Sequence, residues 1–271
     1  MNRSLREIGE SVKRVDAVVY VLDARAPLSC INPELDKIIA DKPVIYALNK
    51  ADMTPEGELS SWTDRLTSGR NVAVKLNSTA SNAGRVIAEK LKTLCADKIQ
   101  KKKARGINAV VRAMVIGVPN SGKSTLINNL CGKAKTLTGN KAGVTKGQQW
   151  VKIGEYLELL DTPGTLYPKL DNHKVALNLA FLGSIRDEVV DTSELSLELL
   201  KKLYSIGDFV QTRYRIEPSG NELTDLENIA LKRGLIVRGG QPDLERAAAA
   251  VIDDFRKGRM GKIILEKAGG V

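Results

Sequence analysis

The sequence predicts an α/β domain built on a six-stranded, mostly parallel sheet, followed by a small all-helical domain. Three observations carry this. Six short apolar runs, most of them continuous and β-branched, alternate with helix-like segments over the first 170 residues. Strands buried on both faces and joined by crossover helices have that texture. Two of the runs follow each other so closely that their connection is a hairpin and not a crossover. Past residue 171 the apolar positions take helical spacing with no strand between them. The expected domains are therefore residues 1–170 and 171–271.

In chain order the strand-like runs are DAVVYVLDA (16–24), PVIYAL (43–48), VAVKLN (72–77), VVRAMVIG (110–117), QQWVKIG (148–154) and YLELLD (156–161). The last two, joined through Gly154-Glu155, form the antiparallel pair. Helix-like segments occupy 33–40, 55–67, 81–98 and 123–131, the second opened by Thr54-Pro55 as a cap and first-turn pair. The stretch IQKKKARGIN (99–108) is polar and basic and carries Gly106, so it reads as an exposed linker or surface loop. In the second domain SELSLELLKKLYSIGDFV, NELTDLENIALKRG and PDLERAAAAVIDDFRKG are the helices.

Composition bounds the function. No apolar run approaches the roughly 18 residues a membrane span needs, and MNRSLREIGESVKR has no apolar signal region. A cytoplasmic, membrane-free protein is expected, and a monomer. Cys30, Cys95 and Cys131 are odd in number and far apart, which excludes a disulfide framework or zinc knuckle and leaves buried free thiols. The net charge of +10 suggests a polyanionic partner. Its distribution is uneven: residues 1–170 hold 27 Lys and Arg against 16 Asp and Glu, and residues 171–271 hold 15 against 16. From Lys98 to Gly154 there are twelve basic residues and no acidic one.

That stretch surrounds Gly117-Val118-Pro119-Asn120-Ser121-Gly122-Lys123-Ser124, which fits G-x-x-x-x-G-K-[ST] with a strand before it and the helix STLINNL after it. Such a loop curls so that backbone N–H groups and a helix N-terminus face phosphate oxygens. Val118, Pro119, Asn120, Ser121, Gly122, Lys123, Ser124 and Thr125 are the expected phosphate-binding residues. Lys123 reaches the β and γ phosphates and Ser124 supplies a hydroxyl to Mg²⁺. Asp161-Thr162-Pro163-Gly164 ends the last strand, so Asp161 is the carboxylate of the Mg²⁺ shell and the Gly164 amide meets a γ-phosphate. Thr145, in a loop between them, is the second hydroxyl for Mg²⁺ when triphosphate is bound. Lys123, Thr145 and Gly164 are thus the groups expected around the bond that breaks.

Asn49-Lys50-Ala51-Asp52 ends the strand PVIYAL. The Asp52 carboxylate can accept from both N1–H and the N2 amino group of guanine, a donor pair adenine lacks. Asn49 can bond the base's other polar edge and brace the loop, and the Lys50 stem can lie on the purine face. Ser78, Thr79 and Ala80, ending the next strand, offer backbone N–H to guanine O6. The motif order is base, base, phosphate, switch, switch. That is the usual GTP-binding order cut after DTPG, with the old ends joined through IQKKKARGIN.

This arrangement resembles the circularly permuted GTPases. Asp23-Ala24-Arg25-Ala26-Pro27 looks like the D-A-R-x-P signature of that group, and DTPGTLYPKL looks like the D-T-P-G-x-L-x-P-K of the ribosome biogenesis GTPase A (RbgA/YlqF) family. GGQPDLERAAAAVIDDFRKGRMGKIILE is similar to that family's last helices. The resemblance implies a circularly permuted P-loop GTPase that binds a late precursor of the large ribosomal subunit through ribosomal RNA, with GTP, GDP and Mg²⁺ as ligands. Arg256, Lys257, Arg259 and Lys262 are the RNA-facing candidates of its helical domain, and Lys133, Lys135, Lys141 and Lys146 those of the switch. Asn120 resembles the asparagine that in some GTPases helps to place K⁺ near the bridging phosphate oxygens.

Two departures bear on hydrolysis. The W-F-P-G-H-M-like segment with which family members usually begin, whose histidine has been assigned a part in hydrolysis, is not found ahead of MNRSLREIGES, and Thr165 follows DTPG where Ras-like proteins have glutamine. The sole histidine, His173, matches no catalytic position of the family and reads as a surface or helix-start residue. Slow turnover without ribosomal particles is expected, and the water-positioning group is unassigned. The alternatives are a GTP-responsive binding module that hardly turns over, and a small-subunit assembly GTPase, which would carry a barrel or zinc knuckles that this sequence does not contain.

Overall fold

The computed structural model describes residues 3–132, 149–162, 164 and 172–269. The chain divides into two compact units, one comprising Met1–Lys169 with Glu266–Val271, the other Leu170–Leu265.

The first unit runs α1 (Arg3–Val12), β1 (Ala17–Asp23), α2 (Pro27–Cys30), α3 (Pro33–Ile39), β2 (Val44–Asn49), a 3-10 turn at Ala51–Met53 and α4 (Glu56–Leu66). It continues through β3 (Val72–Lys75), α5 (Ala83–Leu94), α6 (Ala96–Lys103), β4 (Val111–Ile116), α7 (Lys123–Cys131), β5 (Gln149–Ile153) and β6 (Leu157–Asp161). The six strands form one sheet in the order β3-β2-β1-β4-β6-β5. All neighbours are parallel except β5, which runs antiparallel to β6. Every residue of β1 and β2 is buried, because helices cover both faces of the sheet centre. One core gathers Val19, Ile45, Val74, Val115 and Leu159 of the sheet with Ile87 and Leu91 of α5 and Leu126 and Ile127 of α7.

Three local readings change and one helix is added. The 81–98 helix is two helices broken at Cys95, and α6 takes in the first five residues of the expected linker. Lys98 anchors α6 by bonding Asp16 (2.5 Å) and the Val110 carbonyl (3.2 Å), while Asp97 in its first turn and Lys101, Lys102 and Lys103 in its last complement the helix dipole. Thr54 does not cap α4: the cap position is Pro55, without a side-chain bond, and the Thr54 hydroxyl is buried without a partner. The N-terminal segment is the helix α1, whose Leu5, Ile8 and Val12 recur at helical spacing and are buried. Finally, Glu266, expected in the helical domain, belongs to the first unit. Its carboxylate accepts from the backbone N–H (3.1 Å) and hydroxyl of Ser29, and its carbonyl accepts from Trp62 Nε1 (2.9 Å). A buried carboxylate needs such donors, and α2 supplies them.

The second unit contains α8 (His173–Phe181), α9 (Thr192–Tyr204), α10 (Phe209–Tyr214), α11 (Glu222–Lys232) and α12 (Leu244–Arg256). Asn172, Asp191, Asn221 and Asp243 cap α8, α9, α11 and α12 by accepting backbone N–H bonds. Within it Asp254 is buried and takes Arg213 (2.9 Å), Arg233 (3.0 Å), Arg259 (2.8 Å) and the Tyr214 hydroxyl (3.1 Å). Burial would raise this carboxyl, but the arginines hold it below its ordinary value.

No helix among the described residues is long and apolar enough to cross a membrane. Cys30, Cys95 and Cys131 are in no disulfide, and burial pushes the Cys95 thiol up to about 11.

Candidate nucleotide site

The strand order places β1 and β4 side by side, and the chain winds away from that pair in opposite directions. Ligand clefts in open α/β sheets form at such a reversal, outside the carboxyl ends of the strands. Asp23 pairs with Asn49 across β1 and β2, and Val115 with Asp161 across β4 and β6, so the expected motifs all leave the same edge of the sheet.

The phosphate loop leaves β4 and ends as α7 begins. Gly117 has φ +148°, and a Cβ there would lie 2.3 Å from the Val21 carbonyl oxygen, so only glycine lets the loop pass so close to β1. Lys123 is buried and its Nζ donates to the carbonyls of Gly117 (2.9 Å) and Val118 (2.7 Å), curling the lysine over its own loop. Burial lowers its pKa to about 8 against the opposing pull of Asp161. Near neutral pH it is therefore mostly charged, with that charge incompletely compensated by the protein. Ser124 and Thr125 are exposed on the first turn of α7, where backbone N–H groups lack intrahelical partners. Asn120 is exposed in the left-handed conformation at φ +59°. Gly164 lies against this loop: a Cβ on it would sit 3.0 Å from Pro119 and 3.1 Å from Lys123 Nζ. Thr162 is held to β4 by its hydroxyl bond to the Val115 carbonyl (2.6 Å).

Asn49 joins the base loop to the phosphate loop. Its Nδ2 donates to the Ser121 carbonyl (2.7 Å) and its Oδ1 accepts from the Ser78 N–H (2.8 Å). The bracing half of its expected role is visible; its amide is engaged by two loops and not held open for a base edge. The expected O6 donors are also occupied: Thr79 N–H donates to the Asn77 side chain (2.9 Å) and Ala80 N–H to the Asn77 carbonyl (3.0 Å). Asn129 of α7, which sequence reasoning missed, supports this loop from the phosphate side by donating to the Ala80 carbonyl (2.6 Å). The hydroxyls of Ser78 and Ser121 are buried here without a protein partner. Asp52 is exposed in the 3-10 turn, which the Ala51 N–H ties to the Leu76 carbonyl (3.0 Å).

The D-A-R-x-P signature also acquires a physical role. Asp23 is buried, takes Arg25 in a bidentate bond (2.9 and 2.8 Å) and pairs with Lys50 Nζ (2.8 Å). Burial alone would raise its carboxyl, but the charges of Arg25 and Lys50 outweigh that and hold it well below the usual carboxylate range. Lys50 sits in the left-handed region at φ +59°, so the ion pair fixes both its side chain and the turn that presents Asp52. Asp23→Asn would leave Arg25 buried without its counter-charge. A loss of about 3–5 kcal/mol is expected, read as a lower unfolding midpoint in denaturant, and an unchanged midpoint would remove this role from Asp23.

Among the described residues no three His, Cys, Asp or Glu converge. At the phosphate loop the Asp161 carboxylate and the Ser124 hydroxyl offer a hard-oxygen pair that suits a Mg²⁺ completed by phosphate oxygens and water. Thr145, Thr165 and the lysines Lys133, Lys135, Lys141 and Lys146 lie outside the described residues. His173 is an exposed residue of the first turn of α8.

A family described as 50S ribosome-binding GTPases matches residues 112–216. The match begins at β4, ahead of the phosphate loop, as a rotated motif order requires. Ribosome biogenesis GTPase A of Bacillus cereus is 36% identical over 98% of this chain and 91% of its own length. The chain belongs to the ribosome biogenesis GTPase A family. It is accordingly a GTP-hydrolysing enzyme that takes part in ribosome biogenesis. The Thermotoga maritima protein of the same name is 31% identical over 98% of this chain and 92% of its own. The crystal structure of GNP-bound YlqF from that organism superposes with a TM-score of 0.72 at 27% identity, covering all of both chains, and the GDP-bound form with 0.70. The permuted six-stranded GTPase domain with a helical part after it is thus the family's architecture.

Proposed function

We propose that this protein is an assembly factor for the large ribosomal subunit, binding its precursor through ribosomal RNA in the GTP state and releasing it after hydrolysis. The observation that carries the reading is Asn49, which ties the base loop, the phosphate loop and the Ser78 loop into one body, so that one nucleotide would touch every expected element. In it Asp52 reads guanine. The N–H groups of the loop from Val118 to Thr125 receive the phosphates, and Lys123 turns from its loop carbonyls to the β and γ oxygens. Ser124 and Asp161 would hold Mg²⁺, joined by Thr145, and the ion would neutralise charge on the phosphates. The Gly164 amide, already against Lys123, meets the γ-phosphate and passes its presence to the switch. Asn120, exposed on the phosphate loop, is the K⁺-placing group. The cytoplasm is the compartment, and the protein acts as a monomer. The description of the matched family as 50S ribosome-binding supports the large subunit over the small.

GTP turnover and co-sedimentation with purified large-subunit precursors test this together. Turnover should rise at least tenfold on adding particles, faster in K⁺ than in Na⁺ at equal ionic strength. Binding should be tighter with a non-hydrolysable GTP analogue than with GDP. Equal binding in both states and no stimulation would leave the reading without support. Equal rates in the two cations would remove the role of Asn120 alone.

A further inference from the structure

Asparagine is a poor residue for a helix interior, because its amide competes with the backbone for hydrogen bonds, yet α7 carries two in succession. Asn128 is exposed and Asn129 half-buried. The Asn129 amide turns away from its own helix. Its Oδ1 accepts from the Gly84 N–H (2.9 Å), and its Nδ2 donates to the carbonyls of Ala80 (2.6 Å) and Ser78 (3.4 Å). Gly84 lies in the first turn of α5, where N–H groups have no partner within the helix, and the cap residue Asn82 supplies no side-chain bond. Asn129 therefore caps α5 from a neighbouring helix. Glycine at position 84 lets the two helices come so close: a Cβ there would lie 2.8 Å from Leu130 Cα and 2.9 Å from the Asn129 carbonyl oxygen.

The two donated bonds have a different consequence. The Ser78 carbonyl and the Thr79 N–H are opposite edges of one planar peptide, so a grip on the oxygen sets the direction of the N–H. On the other side of Ser78, its own N–H is held by Asn49 Oδ1 (2.8 Å), and Asn49 Nδ2 reaches the Ser121 carbonyl (2.7 Å). The backbone from Ser78 to Ala80 is thus fixed twice, by the phosphate loop through Asn49 and by α7 through Asn129. Within it the Thr79 N–H is bonded to Asn77 Oδ1 (2.9 Å). Guanine O6 can replace that side-chain oxygen as one acceptor for another, with the backbone left where it is.

We propose that Asn129 is a positioning residue for guanine: by gripping the Ser78 and Ala80 carbonyls it aims the Thr79 N–H at O6, and it ties that donor to the helix whose first turn would receive the phosphates. The inference deepens the proposed function and rests on its site, in which Ser78, Thr79 and Ala80 meet O6. A residue that only capped α5 and packed two helices would weaken every nucleotide alike. A positioning residue acts on O6.

The probes are GTP and 6-thioguanosine triphosphate, which keeps the N1–H and N2 amino groups that Asp52 reads and carries sulfur, a weak acceptor, in place of O6. Wild-type protein should prefer GTP by roughly three- to tenfold, the effect of one neutral hydrogen bond. Asn129→Asp keeps an oxygen for the Gly84 N–H, at a helix N-terminus that favours negative charge, but turns an acceptor towards the two carbonyls. In this variant GTP and GDP should weaken by the same factor, again roughly three- to tenfold, with the thio nucleotide hardly changed, so that the preference disappears. Asn129→Ala, which loses both cap and grip, should lose the preference too and unfold at lower denaturant. A preference that survives in both variants, whether all nucleotides weaken together or none does, would overturn the inference and leave the O6 reading standing. Wild-type protein that does not distinguish the two nucleotides would take Ser78, Thr79 and Ala80 away from O6 and the inference with them.

Discussion

Gly122→Ala is expected to weaken GTP and GDP at least a hundredfold while leaving the far-ultraviolet circular dichroism unchanged. Gly122 has φ +97°, a conformation that side chains rarely adopt, and an added Cβ would lie 2.1 Å from Asn49 Nδ2. Asn49 has nowhere to retreat without breaking its bonds to Ser121 and Ser78. The single methyl therefore opens the phosphate loop and loosens both loops at the base end. Backbone strain at such a position costs about 1–3 kcal/mol, and each broken buried hydrogen bond adds about 1 kcal/mol. Asn49→Ala separates the two causes: it removes the clash and keeps the loss of the brace. Adding it to Gly122→Ala should cost little more than Gly122→Ala alone. Wild-type nucleotide affinity for Gly122→Ala would show that the loop does not take the observed conformation when it binds.

Asp52→Asn is expected to exchange the base that the site accepts. A carboxylate accepts two hydrogen bonds from guanine; an amide accepts one and offers a donor where guanine also donates. Bonds to a charged group contribute about 1.5–3 kcal/mol each, so GTP should weaken at least tenfold and commonly a hundredfold. Xanthosine triphosphate, whose C2 carbonyl accepts that donor, should bind better to the variant than to the wild type. The turn is positioned by backbone bonds of Ala51 and Thr54 and by the Lys50–Asp23 pair, and Asp52 itself is exposed, so the fold should not change. Unaltered GTP binding together with no gain of the xanthine nucleotide would remove Asp52 from the base.

The sequence by itself determined the class of fold, the rotated order of its motifs and the family. Each of these is local. A strand buried on both faces shows as a run such as AVVYVLD, a phosphate loop as GVPNSGKS between a strand and a helix, and guanine chemistry as NKAD at a strand end, all within windows shorter than one element. The helix α1 is not among the helices expected from the sequence, although its Leu5, Ile8 and Val12 recur at helical spacing. The helix α6 is not legible from its polar composition, because what holds it is the tertiary anchor that Asp16 and the Val110 carbonyl give to Lys98.

What only the tertiary structure decided is which partner each polar group finds. Asn49 and Ser121 are 72 positions apart and Ser29 and Glu266 are 237 apart, and no periodicity brings such pairs together. The same holds for Arg25 and Lys50 meeting on one buried carboxylate, for Asn129 reaching the Ala80 carbonyl, and for Arg256, Lys257 and Arg259 being drawn into ion pairs within their own unit. A lysine or arginine written in a chain looks alike whether it meets solvent or a carboxylate. Its charge becomes available to an RNA only when the folded structure leaves it unpaired, because a cation already hydrogen-bonded to an acid gains little from a second anion.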